Sequence, residues 1–485
     1  MAFMDWIRRV TGRMFPKNSL EKKLNVRIYT SGAMDNAIQL WYQMYQNSPP
    51  WLGGEGHVKS LNLPASIAEE MARLVLTEFD LQLDGSERAD FLRAQMDTML
   101  LNLSNIVELW CALGGIVLKP YAAGHGEDGN PDRIEIDVVQ ANRFYPTAFD
   151  SNREITGAVF VDTKRIGDYV YTRLEQHSLE GTHYKVVNRA FRSERLNTMT
   201  TGDEQLHIEH PCSQEIALEQ VEDWKGIAPV VEMDGIEKPL FVYIRTPRAN
   251  NLDPDSPLGV SVFARAQGVI EEADRQYSRI LWEYEAKEAA IDADETLFTA
   301  NRQGKPVLPV GKERLFRTYD AGGGENAGFL KAYSPEIRDE SMFRGLNQLF
   351  RSIEFLCGLA YGTLSDAAGT STAERTATEI KYSKQRSYTT VHAMQTAWDK
   401  GLDELLYAMN TLCDLYDMAP DGNVEKAVTW GDGVLEDTDI EYQRRWGMVM
   451  AGKLRLEKFY AWYFGCTEEQ ARDMIPDTPD FPEAK

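Results

Sequence analysis

From Gly115 to about residue 245 the apolar residues of this 485-residue chain tend to recur at every second position, whereas on either side they recur at every third or fourth. A period of two puts alternate side chains on the two faces of a strand, and a period near 3.6 stripes one side of a helix. A chain that changes period twice is neither a plain helical bundle nor a β-sandwich. It has to build a β-rich block with helices before and after it, an α+β class that is mostly helical.

The helical part before the block has recognisable starts and stops. Pro64 and Ser66 open a helix in which Ile67, Met71, Leu74 and Val75 share one face. A second helical stretch runs from about Glu87 to Leu113 and stops at Gly114-Gly115. The block itself reads as the strands GIVLKPYA, RIEIDVVQ, RFYPTAF, ITGAVFVDT, YVYTRLEQHSL and THYKVVNRAF, with a hairpin turning at Glu180-Gly181.

NNLDPDSPLG, residues 250–259, marks a boundary. Ser256-Pro257 then reads as an N-cap with proline at the first helical position. Phe263, Ala266, Ile270, Ala273, Tyr277, Ile280 and Tyr284 follow at helical spacing, so the pattern predicts a helix from 257 to about 290. Such a helix would be about 45 Å long. It would cross between domains or pack against copies of itself. Short strands and turns fill 292–334. Ser334-Pro335-Glu336 repeats the start signal, Phe343, Leu346, Phe350, Ile353 and Cys357 form a second stripe, and Gly358 ends it.

YGTLSDAAGTST comes next, small and polar, and reads as exposed and mobile. Ser371 with Glu374 and Thr376 with Glu379 fit capping boxes for a third long helix, reaching about Met418. Its first turns are polar and its later part carries Val391, Met394, Trp398, Leu402, Leu405, Leu406, Met409 and Leu412 on a buried face, with Gly401 as a possible bend. The tail reads as a strand, VEKAVTW, an acidic turn and helical pieces, with Thr467 to Gln470 capping the last and a Pro-rich, disordered end.

Composition narrows the functions. The formal net charge is −23, which repels polyanions over most of the surface and argues against tight, sequence-reading DNA binding. The five cysteines, at 111, 212, 357, 413 and 466, form no CxxC pair and no disulfide framework. No window has the roughly 20 apolar residues of a membrane span, so a soluble cytoplasmic product without membrane contact is expected. MDWIRRVTGRMF is a candidate amphipathic helix for docking on another protein or subunit.

Catalytic signals fall short. GKPVLPVGKE, at 304–313, lacks phosphate-loop spacing and a Ser or Thr after Lys312. Gly322, Gly324 and Ala327 precede a strand rather than opening a helix. Gly259-Val260-Ser261 lacks the closing glycine of a nucleophile elbow, which leaves Ser261 as a first-turn helix residue. His207, His210 and Cys212 are a partial metal set without further ligands. The expectation is no catalytic residue, no cofactor and no metal.

The order of these parts resembles the portal proteins of tailed bacteriophages, especially the branch common in siphophages of Gram-positive hosts. NLDPDSPLGVSVFARAQGVIEEADRQYSRILWE, CGLAYGTLSD and TAERTATEIKYSKQRSYTTV carry the resemblance. It implies an N-terminal wing region at 1–250, a first stem helix within 251–291, a small α/β clip at 292–335, a second stem helix at 336–358, a tunnel loop at 359–373, a long wing helix at 374–418 and a helical, crown-like C-terminal part at 419–485.

The same resemblance implies a ring of about twelve subunits at one capsid vertex of the virion, assembled in the host cytoplasm. Double-stranded DNA would pass through its axis during packaging and ejection. The partners implied are the terminase large subunit, the major capsid and scaffolding proteins and a head-completion or adaptor protein. Thr363, Ser365, Asp366, Thr370, Ser371 and Thr372 would be DNA-channel residues of the loop. Lys381, Lys384 and Arg386 are candidates for light phosphate contacts, or else for a solvated face or an inter-subunit salt-bridge edge. Phe263, Ile270, Tyr277, Ile280, Phe343 and Phe350 would pack stem against stem. Two other readings stay open: a soluble enzyme with an unfamiliar site, and another phage head structural protein such as a minor head or scaffold component.

Overall fold

The computed structural model describes residues 17–53, 58–124, 130–194, 214–299, 301, 305–310, 315–319, 330–366, 377–430, 438–464, 471–472 and 474–475. The chain divides into two compact units, Met1–Val75 with Gln82–Lys426, and Leu76–Leu81 with Ala427–Lys485. About 45% of it is helical and 25% strand, so the class is mixed α/β and helix leads without dominating.

The larger unit opens with α1 (Lys17–Leu24), α2 (Gly32–Tyr45) and α3 (Leu63–Val75). Ser31 caps α2 by accepting from the Met34 N–H. Ile67, Met71, Leu74 and Val75 are buried on α3, as their spacing requires. In chain order β1 (Asp80–Asp84) comes next, and the stretch expected as one helix from 87 to 113 is two, α4 (Glu87–Leu101) and α5 (Leu103–Leu113). The break falls at Asn102, whose side-chain amide donates to the Thr98 carbonyl 2.9 Å away. Such a side chain offers the backbone an alternative to the helix ladder.

Gly114 ends α5 in the left-handed region, at φ +80°. It leads into β2 (Gly115–Ala123), the central strand of a three-stranded sheet with β3 (Arg133–Gln140) and β10 (Val242–Arg245). A second, larger sheet is antiparallel: β4 (Phe144–Phe149), β5 (Ile155–Ile166), β6 (Tyr169–Glu180), β7 (His183–Glu194) and β8 (Gln214–Ile216), with β9 (Val230–Met233) also on β7. The hairpin turns at Gly181, at φ +64°. Leu20, Leu24 and Ile28 cover one face by packing on Tyr145, Val159, Val161, Leu174 and Phe191.

SPLG does not start a helix. Residues 256–263 are buried and non-helical, and α6 (Gln267–Ala286) begins eleven residues after Ser256. Tertiary contacts override the local start signal. The Gly259 N–H donates to Tyr243 Oη at 2.9 Å, Val262 N–H to the Cys111 carbonyl at 3.0 Å, and Thr246 Oγ1 to the Val260 carbonyl at 2.6 Å. A Cβ on Gly259 would lie 2.1 Å from the Gly114 carbonyl, and one on Gly114 would lie 2.4 Å from Val260 C. Two bare backbones meet there. Ser261 is buried in this corner, with its hydroxyl on the Cys111 carbonyl at 3.4 Å.

α6 is followed by a three-stranded sheet in the order β12-β11-β13, formed by β11 (Ala290–Asp294), β12 (Phe316–Tyr319) and β13 (Leu330–Tyr333). The pairing of β11 with β12 is parallel, which strand spacing alone did not reveal. α7 (Asp339–Cys357) then returns antiparallel to α6. The last helix of this unit, α8 (Ala377–Tyr416), has 40 residues and is about 60 Å long. Its buried face is the expected one, with Trp398 against Trp110 at 5.4 Å between ring centroids. Gly401 is a contact glycine rather than a bend, since a Cβ there would lie 2.5 Å from Ile244 Cδ1.

In the smaller unit, α9 (Thr438–Met450) and α10 (Leu456–Phe464) pack through aromatic rings. Tyr442 lies edge-on to Phe459 and Tyr463, each at 5.3 Å. The Thr467 to Gln470 capping box lies outside the described residues.

Candidate functional site

α7 ends where its sequence provides a left-handed residue. Gly358 sits at φ +79°, and the Leu359 N–H donates back to the Glu354 carbonyl at 2.9 Å. A helix leaves its last carbonyls without partners. Here two arginines from elsewhere take them. Arg248 donates to the Leu356 carbonyl at 3.2 Å, to the Cys357 carbonyl, and to the Val262 carbonyl at 2.9 Å. Arg386, on α8, donates to the Phe355 carbonyl at 3.1 Å and lies 3.9 Å over the Phe355 ring.

The chain leaving Gly358 then folds back along α7. The Glu354 side chain, 0% exposed, is its mooring. Oε1 accepts the Gly362 N–H at 3.1 Å, the Leu364 N–H at 2.6 Å and the Ser365 N–H at 2.8 Å. Oε2 accepts the Ser365 hydroxyl at 2.8 Å. Two turns back on the same face, Asn347 Oδ1 accepts the Asp366 N–H at 2.7 Å. The Ala360 N–H donates to Ser387 Oγ on α8 at 2.9 Å. A buried carboxylate is stabilised here by converging amide dipoles, and hydrogen bonds to a charged acceptor contribute about 1.5–3 kcal/mol each.

Two further acids sit on buried helix faces in the same way. Asp274 on α6 accepts from Trp51 Nε1 at 2.9 Å and from the Leu61 N–H at 2.8 Å. Burial raises its pKa, against the pull of those two donors. Glu283, also on α6, binds Arg338 at 3.0 Å and Lys287 at 2.6 Å, which hold its carboxyl down to about 2. The Glu283–Arg338 pair ties the end of α6 to the start of α7, whereas Asp274 ties α6 to the segment carrying Trp51 and Leu61.

The structure sorts the residues singled out in the sequence. Thr363 is exposed, with its hydroxyl on the Ala360 carbonyl at 2.7 Å. Ser365 is buried and bonded to Glu354, and Asp366 is exposed beside Asn347. Thr370, Ser371 and Thr372 lie outside the described residues, as do His207, His210 and Cys212. Lys381 and Lys384 fall on the helical backbone of α8, with side chains outside the described residues. Phe263, Ile270 and Ile280 are 0%, 0% and 1% exposed within a single chain, so their stripe is already used by α7 and the neighbouring backbone. Tyr277 and Phe350 are half-buried, and Phe343 is exposed. The expectation that the apolar stripe faces a second subunit is therefore corrected for the three buried residues.

The sequence places 361–366 in a mobile run, whereas in the structure they are bonded to α7. Glu354, Asn347 and Arg248 were missed. One signal was available for Glu354: it lies four residues after Phe350 and three before Cys357, an acid inside an apolar stripe. Arg248 had no comparable signal.

A model of a family described as phage portal protein, SPP1 Gp6-like, matches residues 60–475. The chain belongs to that family. No curated protein matches it. The moored loop root of this portal protein lies within the matched range, as do both long helices that flank it. No described helix is long and apolar enough to cross a membrane, and no group of described side chains could hold a metal ion.

Proposed function

We propose that this portal protein works as a ring of about twelve copies at one capsid vertex, and that double-stranded DNA passes through the axis during packaging and ejection. In this reading α6 and α7 are the stem, 292–335 is the clip that meets the terminase large subunit, and 359–373 is a loop reaching toward the axis. The major capsid and scaffolding proteins would surround the wing region, and a head-completion protein would follow the terminase. The protein itself would be structural, with the energy of translocation supplied by the terminase.

The mooring of residues 362–365 on Glu354 carries the proposal. A loop that works against a moving strand needs a fixed base, and a buried carboxylate with convergent donors supplies one. The chain's charge of −23 supports the same reading, since each tightly held phosphate would brake a sliding duplex. Native mass spectrometry with negative-stain imaging of the purified protein tests it. A ring of about twelve with an axial hole is expected. A monomer that persists at high concentration with scaffolding protein present would overturn it.

A further inference from the structure

One face of the large sheet is covered by Leu20, Leu24 and Ile28, and the opposite face carries buried charge. Strand alternation puts Arg173, Glu175 and His177 of β6 together on that face. The three-stranded sheet meets them there. Lys119 of β2 reaches across, with Nζ 2.7 Å from Glu175 Oε2 and 5.1 Å over the Phe160 ring. Phe241, just before β10, lies edge-on to His177 at 5.7 Å between ring centroids. Lys119, Glu175 and His177 are 5%, 9% and 5% exposed, so no bulk water serves their polar atoms.

The contacts leave one arrangement of protons. Burial alone would raise the Glu175 pKa, yet Lys119, His177 and Arg173, the last at 3.3 Å, hold its carboxyl well below the usual range. A carboxylate only accepts, so the 2.7 Å contact from His177 Nε2 to Glu175 Oε1 is an N–H donor bond. His177 Nδ1, 2.6 Å from Tyr184 Oη on β7, then accepts the tyrosine proton, and the imidazole is neutral. A second proton on Nδ1 would point at the tyrosine hydroxyl hydrogen. It would also add a third cation around one buried carboxylate. The remaining acids give no relief: Asp137 of β3 stands behind Lys119 at 3.5 Å, and Asp162 of β5 lies opposite Arg173 in register and accepts from Trp224 Nε1 at 3.1 Å. Burial pushes the His177 pKa down, against the pull of Glu175.

We propose that His177 is a proton-operated joint between the two sheets. Neutral, it completes the chain Tyr184–His177–Glu175–Lys119 that ties β7 and β6 to β2. Protonated, it breaks that chain and loosens β2 from the large sheet. A buried polar network is rigid when every member is satisfied and costly when one is not. The folded state favours the neutral ring, so its stabilising effect is complete above about pH 6.5 and is lost as the pH falls below that value.

The test is amide hydrogen exchange of the full-length protein, read by peptide mass spectrometry at pH 7 and pH 5 and corrected for intrinsic exchange. The comparison is H177Q, whose amide can accept from Tyr184 and donate to Glu175 without titrating. In the parent, protection of β2 and β6 is expected to fall at least tenfold at pH 5, where a solvated imidazole is about thirty times more often protonated than neutral. H177Q is expected to change less than threefold. An equal loss in H177Q, or unchanged strands in the parent, would overturn the proposal. If H177Q does not fold, the parent decides alone: loss confined to β2, β6 and β7 is expected, and an equal loss across α5 and α8 would overturn it.

Discussion

Glu354 and Ser365 stand eleven residues apart and meet twice, once through the Ser365 N–H at 2.8 Å and once through its hydroxyl at 2.8 Å. A helix and the strand of chain that leaves it are thus held together by one buried carboxylate.

Replacing that carboxylate should loosen the loop root. E354A leaves the Leu364 and Ser365 N–H donors without an acceptor and the Gly362 N–H with only the Ser365 hydroxyl, 3.2 Å away, a loss of about 2–4 kcal/mol in unfolding free energy. Limited proteolysis should then cut within 361–366, while ring formation persists and DNA packaging falls. A denaturation midpoint equal to that of the parent would show that the mooring contributes nothing.

Arg248→Lys removes the planar fork that serves three carbonyls. A lysine ammonium cannot span them with the same geometry. Amide exchange at residues 353–357 should speed up at least tenfold, with about 1–3 kcal/mol lost overall. Unchanged protection at the end of α7 would contradict the capping role.

Gly259→Ala is expected to be among the most damaging small substitutions in the protein. Its Cβ would sit 2.1 Å from the Gly114 carbonyl, closer than atoms can approach, and the neighbour is backbone. A loss above about 3 kcal/mol or insoluble expression should follow. Soluble protein with a parent-like melting curve would mean that the two backbones can separate freely.

Asp35 gives a pH dependence with a definite sign. Burial raises its pKa from 3.8 to about 6, against the pull of Lys17. The folded state therefore holds this proton more tightly than the unfolded chain does. Its stabilising effect is complete below about pH 4 and is lost as the pH rises to about 6. Asp35→Asn should stabilise the protein above pH 6 by about 1–3 kcal/mol and change little below pH 4. Chemical denaturation at pH 4 and at pH 7 would separate the two, and equal effects at both would refute it.

The parts legible in the sequence were those governed by one period at a time. The strands from 115 to 194, the buried face of α8 and the Gly358 stop all followed from spacing and cap chemistry. The failures have a common cause. SPLG is a good helix start in isolation, yet contact with Gly114 and Tyr243 holds it out of a helix. Residues 361–366 look like solvated loop because Glu354, the group that binds them, belongs to another element. Ile270 and Ile280 look like interface residues because a stripe cannot say whether its partner is the same chain or another copy. In each case the deciding atom lies far away in sequence.

The forty-residue span of α8 links two clamps. Near one end, Arg386 grips the Phe355 carbonyl in the last turn of α7. At the other, Asn410 and Asp414 share the buried Arg88, which also bonds the Ala419 and Pro420 carbonyls. The hydrogen bonds of a helix run along its axis, so such a rod resists stretching and transmits load end to end. A tug delivered to the loop would arrive at Arg88 as tension, tens of ångströms from where it was applied, without any part of the intervening core having to rearrange.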